Sequence, residues 1–235
     1  MATRHVFFDL GNTLIHPDPP VGQAYAMALT RRGIPADPEE VARKFQSGID
    51  AMKLRHAGSS TPPYGSSEEE ARRWWHEVVR LSLHPHCTGA QLEEAFGELW
   101  DHFALPSSWR VDGEALPTIH ALREAGVGTG LISNWDARAE RLLEDLALAP
   151  LLDPALISYA AGVEKPDPRI FLKALELCGV RAAEAIHVGD SLHQDVAGAQ
   201  AAGIKPVWLR AGRAAEPPPE VAAISSLREV LEHLG

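Results

Sequence analysis

Cysteine is scarce in this chain, since only Cys87 and Cys178 occur among its 235 residues. Two cysteines so far apart do not form a disulfide framework or a cysteine-based zinc site. The chain also lacks an apolar run approaching the ~20 residues of a membrane helix. Its first ten residues lack the basic and apolar segments of a signal peptide. The sequence therefore predicts a soluble, cytoplasmic protein with no membrane partner.

Clusters of basic residues are missing as well. Lys and Arg number 22 against 32 Asp and Glu, which gives a net charge of −10 with histidine neutral. A net-acidic chain without a Lys/Arg cluster is a poor candidate for binding the phosphate backbone of a nucleic acid, and we expect no such partner. A small anionic substrate is not excluded, because a local positive site can lie in a negative protein. The length and the 45% hydrophobic composition predict one to two domains with a sizeable core.

The distribution of strand and helix patterns predicts an α/β fold with a helical insertion. Arg4–Asp9 is a short apolar run, typical of a strand buried on both faces. From about 21 to 105 the helical period dominates. After Pro106, strands are predicted at 127–133, 155–158, 185–188 and 206–209, and helices at 116–125, 136–146, 168–178 and 195–202. This alternation favours a doubly wound parallel sheet of Rossmann-like type, formed by 1–16 and 107–235, with residues 17–106 as an inserted α-helical domain.

Polar side chains follow the ends of the predicted strands. They are Asp9 with Thr13, then Ser133 with Asn134, then Lys165, and finally Asp190 with Asp195. Ligands of open α/β sheets bind beyond the carboxyl ends of the strands, so we expect these side chains to converge on one edge. Trp135 lies next to this group, either near the site or as a packing residue. Trp74, on a predicted helix, is expected in the core of the insertion.

In their order along the chain, these motifs resemble those of the haloacid dehalogenase (HAD) superfamily of hydrolases. The matching segments are Phe8–Leu14, Leu131–Asn134, Lys165–Pro168 and Val188–Asp195, which together span the predicted α/β part. The helical insertion looks like the C1-type cap of that family, which closes over the sheet edge. Within the family, Gly22–Ala26, Tyr64-Gly65 and Trp74-Trp75 look most like the group of the haloacid dehalogenase-like hydrolase domain-containing protein 3.

The resemblance implies a phosphatase mechanism. Asp9 would attack phosphorus and form an aspartyl-phosphate, and a Mg²⁺ ion would neutralise the repulsion between carboxylate and phosphate. The implied metal ligands are Asp9, the Gly11 carbonyl and Asp190. Asp195 would either bind the metal directly or contact a group that does. The implied phosphate-binding residues are Ser133, Asn134, Asn12, Thr13 and Lys165. Among these, Ser133 and Lys165 also take part in catalysis, because Lys165 would stabilise the nucleophile and the transferring charge.

Position 11 departs from the family pattern. HAD phosphatases have Asp-x-Asp, whose second Asp is the general acid and base, whereas this chain has Gly11. A general acid contributes about 100- to 10,000-fold in rate. The metal site is not lost with it, because glycine also supplies a carbonyl. Asn12 tolerates the positive φ that this loop requires. A leaving group with a low pKa needs less protonation, and His16 and His193 are candidate replacement acids.

Several functions remain open at this point. The first is a Mg²⁺-dependent phosphatase acting on a small phosphorylated metabolite. The second is a metal-independent 2-haloacid dehalogenase, in which Asp9 displaces halide from carbon without a protonated leaving group. A phosphonate-cleaving enzyme would need Lys44 or Lys53 as a Schiff base, and a weakly catalytic or regulatory binding protein would keep the site without turnover. The substrate is not predicted, and the protein is expected to be a monomer or a homodimer.

Overall fold

A computed structural model describes residues 2–56, 67–210 and 216–235, so Tyr64 and Gly65 lie outside the described residues. The strands are β1 (His5–Phe8), β2 (Ile15–Pro17), β3 (Trp109–Val111), β4 (Gly128–Ser133), β5 (Ala155–Ile157), β6 (Ala185–Gly189), β7 (Lys205–Leu209) and β8 (Ala222–Ile224). The helices are α1 (Val21–Thr30), α2 (Pro38–His56), α3 (Glu68–Leu83), α4 (Ala90–His102), α5 (Ala115–Glu124), α6 (Arg138–Asp145), α7 (Ser158–Ala161), α8 (Pro168–Cys178) and α9 (Gly198–Ala201). Short 3₁₀ turns cover Pro106–Ser108, Ala149–Leu151, Ala182–Glu184 and Leu227–His233, and a π-helical turn covers Leu192–Ala197.

The chain forms two compact units. The first comprises residues 1–16, 111–135 and 139–235, and the second comprises residues 17–110 and 136–138. The sequence divided the chain at 16/17 and at 106/107, so 107–110 and 136–138 are the residues that the structure assigns differently. Two short strands at the crossings, β2 and β3, form a separate two-stranded sheet.

The first unit contains a six-stranded sheet in the order β5-β4-β1-β6-β7-β8. Every neighbouring pair is parallel, which confirms the predicted doubly wound α/β fold. β1 lies in the interior of the sheet with all four residues buried, as its continuous apolar run indicates. The sequence missed β8, because its three residues include two alanines, which have little strand propensity.

The helices that flank the sheet begin and end near the predicted positions. α5 and α8 are followed by Gly126 and Gly179, whose positive φ values of 76° and 61° terminate them. The helix predicted at 195–202 differs: a π-helical turn starts at Leu192 and passes into α9. On one face of the sheet the buried side chains of α8 pack with those of the strands, including Phe171 and Phe7.

Helices α1 to α4 form the second unit around their own core. The largest members of that core are Tyr25, Leu29, Leu83, Phe96 and Trp100. Trp74 is buried in an adjoining cluster with Ile49, Met52 and Val78, as predicted. In the described residues, none of the helices is long and apolar enough to span a membrane.

Residues 136–138 contact the second unit through Trp75 and Trp100. Asp136 is 1% exposed and accepts hydrogen bonds from Arg138 Nη2 at 2.8 Å and from Trp75 Nε1 at 2.9 Å. The guanidinium of Arg138 also stacks 3.8 Å from the ring centroid of Trp100 and donates to its carbonyl. The other oxygen of Asp136 accepts from the N–H of Arg138, the first residue of α6, so the helix begins two residues later than the sequence predicts and Asp136 bonds to its first turn from outside.

Candidate active site

Asp9 lies where three strands of the parallel sheet end. Its N–H donates to the carbonyl of Val188 on the adjacent β6 at 2.9 Å. Its Oδ1 accepts from Ser133 Oγ at 3.0 Å, at the end of β4, and from Lys165 Nζ at 2.6 Å. Oδ2 accepts no hydrogen bond from the described residues. The parallel topology therefore brings together the three residues predicted to be catalytic, and it leaves one oxygen of Asp9 available.

Lys165 is the buried cation of the site. It is 1% exposed, and its Nζ donates to Asp195 Oδ1 as well as to Asp9 Oδ1, both at 2.6 Å. Burial opposes the charged form, but the two carboxylates outweigh it and hold the pKa of Lys165 above its ordinary value. The ammonium group is therefore charged at neutral pH.

Asn134 holds the backbone of Lys165. Its Nδ2 donates to the Lys165 carbonyl and its Oδ1 accepts from the Lys165 N–H, each at 2.8 Å. The sequence predicts Asn134 as a phosphate-binding residue, but both ends of its amide are engaged in this reciprocal pair. The side chain thus positions the backbone of Lys165, and the second N–H of Nδ2 is still available, among the described residues, for the predicted phosphate contact.

Asp195 is bonded through both of its oxygens. Oδ1 accepts from Lys165 Nζ and from His187 Nε2, the latter at 2.9 Å, and Oδ2 accepts from the Ser191 N–H at 2.9 Å. Although burial opposes ionisation, the charge of Lys165 and the hydrogen bond from His187 hold the pKa of Asp195 below its ordinary range. Asp195 is therefore ionised, and it links the lysine to the buried strand β6.

Asp9, Asp190 and Asp195 form the cluster that could hold a metal. Each offers an oxygen, and these oxygens lie within 4.8 Å of one another. Burial raises the pKa of Asp9 to about 7, and the other two carboxylates add to this against the opposing charge of Lys165. Carboxylate oxygens are the ligands that Mg²⁺ prefers, and a divalent cation would remove the repulsion that disfavours ionised Asp9. The donor set therefore fits the predicted metal.

Asp190 lies directly after β6, where two contacts shape the strand end. Its carbonyl accepts from Trp208 Nε1 on β7 at 3.0 Å. A Cβ atom on the preceding residue, Gly189, would lie 2.2 Å from Cγ of Asp195. Only glycine at this position lets the Asp195 carboxylate pack against the strand end.

The loop after β1 contains the remaining predicted residues. Asn12 is exposed and has a φ of 58°, which confirms the positive φ expected of it. Thr13 is fully buried, and its hydroxyl has no hydrogen-bond partner among the described residues. The indole of Trp135 lies over Gly11, where a Cβ would be 3.2 Å from Cζ3. Trp135 thus contacts the site loop directly.

Of the candidate acids and amines, His16 and Lys44 have carboxylate partners, and His193 and Lys53 are exposed. His16 Nε2 lies 3.1 Å from Asp112 Oδ2, and His193 is exposed on the π-helical turn. In the helical unit, Lys44 is bonded to Glu40 at 2.9 Å, whereas Lys53 is exposed.

Sequence reasoning missed two residues that support the site. The first is His187, which is fully buried and bonded to Asp195; the signal was a single polar residue within the apolar strand β6. The second is Ser158, whose hydroxyl accepts from the Trp135 N–H at 3.1 Å and donates to its carbonyl at 3.2 Å. No local pattern connects Ser158 with Trp135, because they are 23 residues apart in the sequence.

Comparison with known proteins identifies the family. A family model described as haloacid dehalogenase-like hydrolase matches residues 3–203. The human haloacid dehalogenase-like hydrolase domain-containing protein 3 is 33% identical over 222 residues, covering 92% of this chain and 86% of the human protein. The ribulose-1,5-bisphosphate 5-phosphatase of Halopiger xanaduensis is 33% identical over 213 residues, covering 88% of this chain and 84% of that enzyme.

Solved structures of similar fold include enzymes of two activities. A HAD phosphatase from Thermococcus onnurineus is 26% identical, with a TM-score of 0.66, over 99% of this chain and 98% of that one. A 2-haloacid dehalogenase from Pseudomonas syringae is 24% identical, with a TM-score of 0.61, over 98% of this chain and 97% of that one. The fold alone therefore does not separate phosphatase from dehalogenase chemistry.

Proposed function

Since the chain belongs to the haloacid dehalogenase-like hydrolase family, we propose that it is a Mg²⁺-dependent phosphatase of a small phosphorylated metabolite. The observation that carries this proposal is the cluster of Asp9, Asp190 and Asp195 around a single buried lysine. Displacement of halide from carbon has no use for a cation site made of three carboxylates. The Halopiger relative is named as a phosphatase of a sugar bisphosphate, which supports a phosphorylated small-molecule substrate.

In the proposed reaction, Asp9 is the nucleophile. Lys165 and Ser133 donate to the same oxygen of its carboxylate, which fixes the plane of the group and leaves Oδ2 accessible. Attack on phosphorus forms an aspartyl-phosphate, and water then releases phosphate. Lys165 supplies positive charge to the transferring oxygens, and Asp195 keeps that lysine in place.

Asp9 and Asp190 would hold the metal, with the carbonyl of Gly11 as the further predicted ligand. Both oxygens of Asp195 accept hydrogen bonds, and Oδ2 accepts only one from the described residues, so Asp195 would bind the metal through that oxygen or hold a neighbouring ligand. When bound, Mg²⁺ neutralises charge and orients the phosphoryl group for in-line attack.

The test is a phosphatase panel with Mg²⁺ and with EDTA. It includes sugar phosphates, nucleotides, 4-nitrophenyl phosphate and acetyl phosphate. We expect turnover that EDTA abolishes and that Asp9→Asn reduces to background. Asp145→Asn is the matched control, because Asp145 lies on α6 and, among the described residues, forms its ion pair with the exposed Arg141. Mass spectrometry of the acid-quenched wild type is expected to locate the phosphoryl group on Asp9.

Other outcomes identify the alternatives. Halide release from 2-chloropropionate without metal would establish the dehalogenase. Borohydride trapping with phosphonoacetaldehyde, lost in Lys44→Ala or Lys53→Ala, would establish the phosphonate-cleaving enzyme. Mg²⁺-dependent binding of phosphate without turnover of any compound would point to a regulatory binding protein.

A further inference from the structure

Gly11 and Trp135 form a contact that determines what position 11 can hold. A Cβ on Gly11 would lie 3.2 Å from Cζ3 and 3.9 Å from Cη2 of the Trp135 indole. A distance of 3.2 Å is closer than an ordinary van der Waals contact between carbon atoms. Even a methyl group at position 11 would therefore require the ring to shift by a few tenths of an ångström, and the carboxyl group of an aspartate would need additional space.

The backbone that carries the indole is fixed by hydrogen bonds. Ser158, which is fully buried, binds both the N–H and the carbonyl of Trp135 through its hydroxyl. The Trp135 carbonyl also accepts from the Tyr159 N–H at 3.3 Å. The backbone that carries the ring is thus held at both polar groups, on the strand end that also supplies Ser133 and Asn134.

Position 11, where the family pattern has its general acid, carries glycine and supplies no proton. Lys165 Nζ donates to two carboxylates and Ser133 Oγ to one, and His187 is fully buried with its Nε2 on Asp195. The indole of Trp135 restricts the space at position 11. The leaving oxygen therefore meets no acid from position 11.

Resting on the proposed function, we propose that the enzyme acts on phosphoryl compounds whose leaving group is already stable as an anion, namely acyl phosphates or phosphoric anhydrides. Asp9 forms the new oxygen–phosphorus bond while the bond to the leaving oxygen breaks. That oxygen keeps the electron pair and departs as a carboxylate or phosphate, without a proton. Water then adds to phosphorus, the Asp9–phosphorus bond breaks toward the carboxylate, and both water protons leave on the released phosphate. Trp135 is the specificity-determining residue, because it keeps a general acid out of position 11.

The first test compares leaving groups in the wild type with Mg²⁺. We expect kcat/KM to fall steeply from acetyl phosphate and 4-nitrophenyl phosphate to phenyl phosphate and ethyl phosphate. The gap between acetyl and ethyl phosphate should include the about 100- to 10,000-fold that a positioned acid contributes. Similar kcat/KM values across the series would overturn this inference and leave the phosphatase proposal standing, since an acid would then come from elsewhere. No turnover of any of the four compounds would overturn the proposed function and this inference with it.

The second test places an aspartate at position 11, both with Trp135 present and with its indole removed. Gly11→Asp alone should lower the melting temperature in EDTA and gain nothing on ethyl phosphate. Adding Gly11→Asp to Trp135→Ala should lower the melting temperature less than adding it to the wild type. The double variant should also have a kcat/KM for ethyl phosphate about 100-fold above that of Trp135→Ala. Gly11→Asn/Trp135→Ala is the control of equal size without an acid, and it should show no such rise. An equal fall of melting temperature in both backgrounds, or equal activity of the Asp and Asn variants, would refute the role of Trp135.

Discussion

Replacing Lys165 with methionine tests the charge balance of the site. The side chain is 1% exposed and holds two carboxylates, Asp9 and Asp195, each at 2.6 Å. Methionine has a similar length and no charge, so the variant leaves these acids buried without their cation. Removing one partner of a buried ion pair costs about 3–5 kcal/mol of unfolding free energy. We expect a loss of that size for Lys165→Met in EDTA at pH 8.

The loss should depend on pH in a defined direction. Without the lysine, the pKa values of the neighbouring carboxylates rise, so the folded variant binds protons that its unfolded chain has released. Stability of the variant therefore falls as pH rises through that window, and the difference from the wild type should be larger at pH 8 than at pH 5.5. Mg²⁺ supplies the missing positive charge, so it should stabilise Lys165→Met more than it stabilises the wild type.

Urea unfolding, followed by tryptophan fluorescence with Mg²⁺ and with EDTA, measures these differences in the free energy of unfolding. Lys173→Met on α8 is the control, because Lys173 is exposed and its replacement should change stability by less than about 0.5 kcal/mol. A loss below about 1 kcal/mol for Lys165→Met at pH 8 would contradict the reasoning from a buried pair. Equal Mg²⁺ stabilisation of wild type and variant would show that the three carboxylates do not share one cation.

Three further substitutions probe neighbouring contacts. In EDTA, the pKa of Asp9, raised from 3.8 to about 7, keeps a proton on the folded protein that the unfolded chain has lost, so wild-type stability should fall as pH rises across that range. Asp9→Asn should remove that part of the slope in urea unfolding at pH 5 and 7, and an unchanged slope would assign it to other groups. Gly189→Ala places a Cβ 2.2 Å from Cγ of Asp195, so it should cost about 1–3 kcal/mol and weaken the Mg²⁺-induced rise in melting temperature. Trp75→Phe removes a 2.9 Å hydrogen bond to the buried Asp136 and should cost about 1.5–3 kcal/mol in urea unfolding, whereas no loss would mean that Arg138 alone satisfies that carboxylate.

The interior of the sheet could be predicted because it depends on local patterns. The continuous apolar run of β1 and the glycines after α5 and α8 are short-range signals, and each marks an element that the structure contains. β8 depends on tertiary pairing instead, since its short alanine-containing segment becomes a strand only alongside β7. The same limit applies to the π-helical turn before α9, whose start no residue pattern marks.

The candidate site divides in the same way. Asp9, Ser133 and Lys165 follow strands, and a parallel sheet places such residues at one edge, so their meeting could be expected from the sequence. The partners that hold them could not. The reciprocal pair of Asn134 with the Lys165 backbone depends on how two loops lie in space, as does the contact of Trp135 with Gly11. Sequence order predicts which side chains meet at the sheet edge, whereas loop packing decides how each of them is held.

Part of the negative charge of the chain lies at this site. Asp9, Asp190 and Asp195 against Lys165 leave two negative charges at the sheet edge when all are ionised. A phosphate dianion approaching such a site would be repelled, because the charge of Lys165 is already included in this balance. A divalent cation would balance these two negative charges. The repulsion would then be removed, and Lys165 and the backbone N–H groups could bind the phosphate. On this reasoning, phosphate binding and metal binding are one coupled equilibrium, and each should strengthen the other by the same factor.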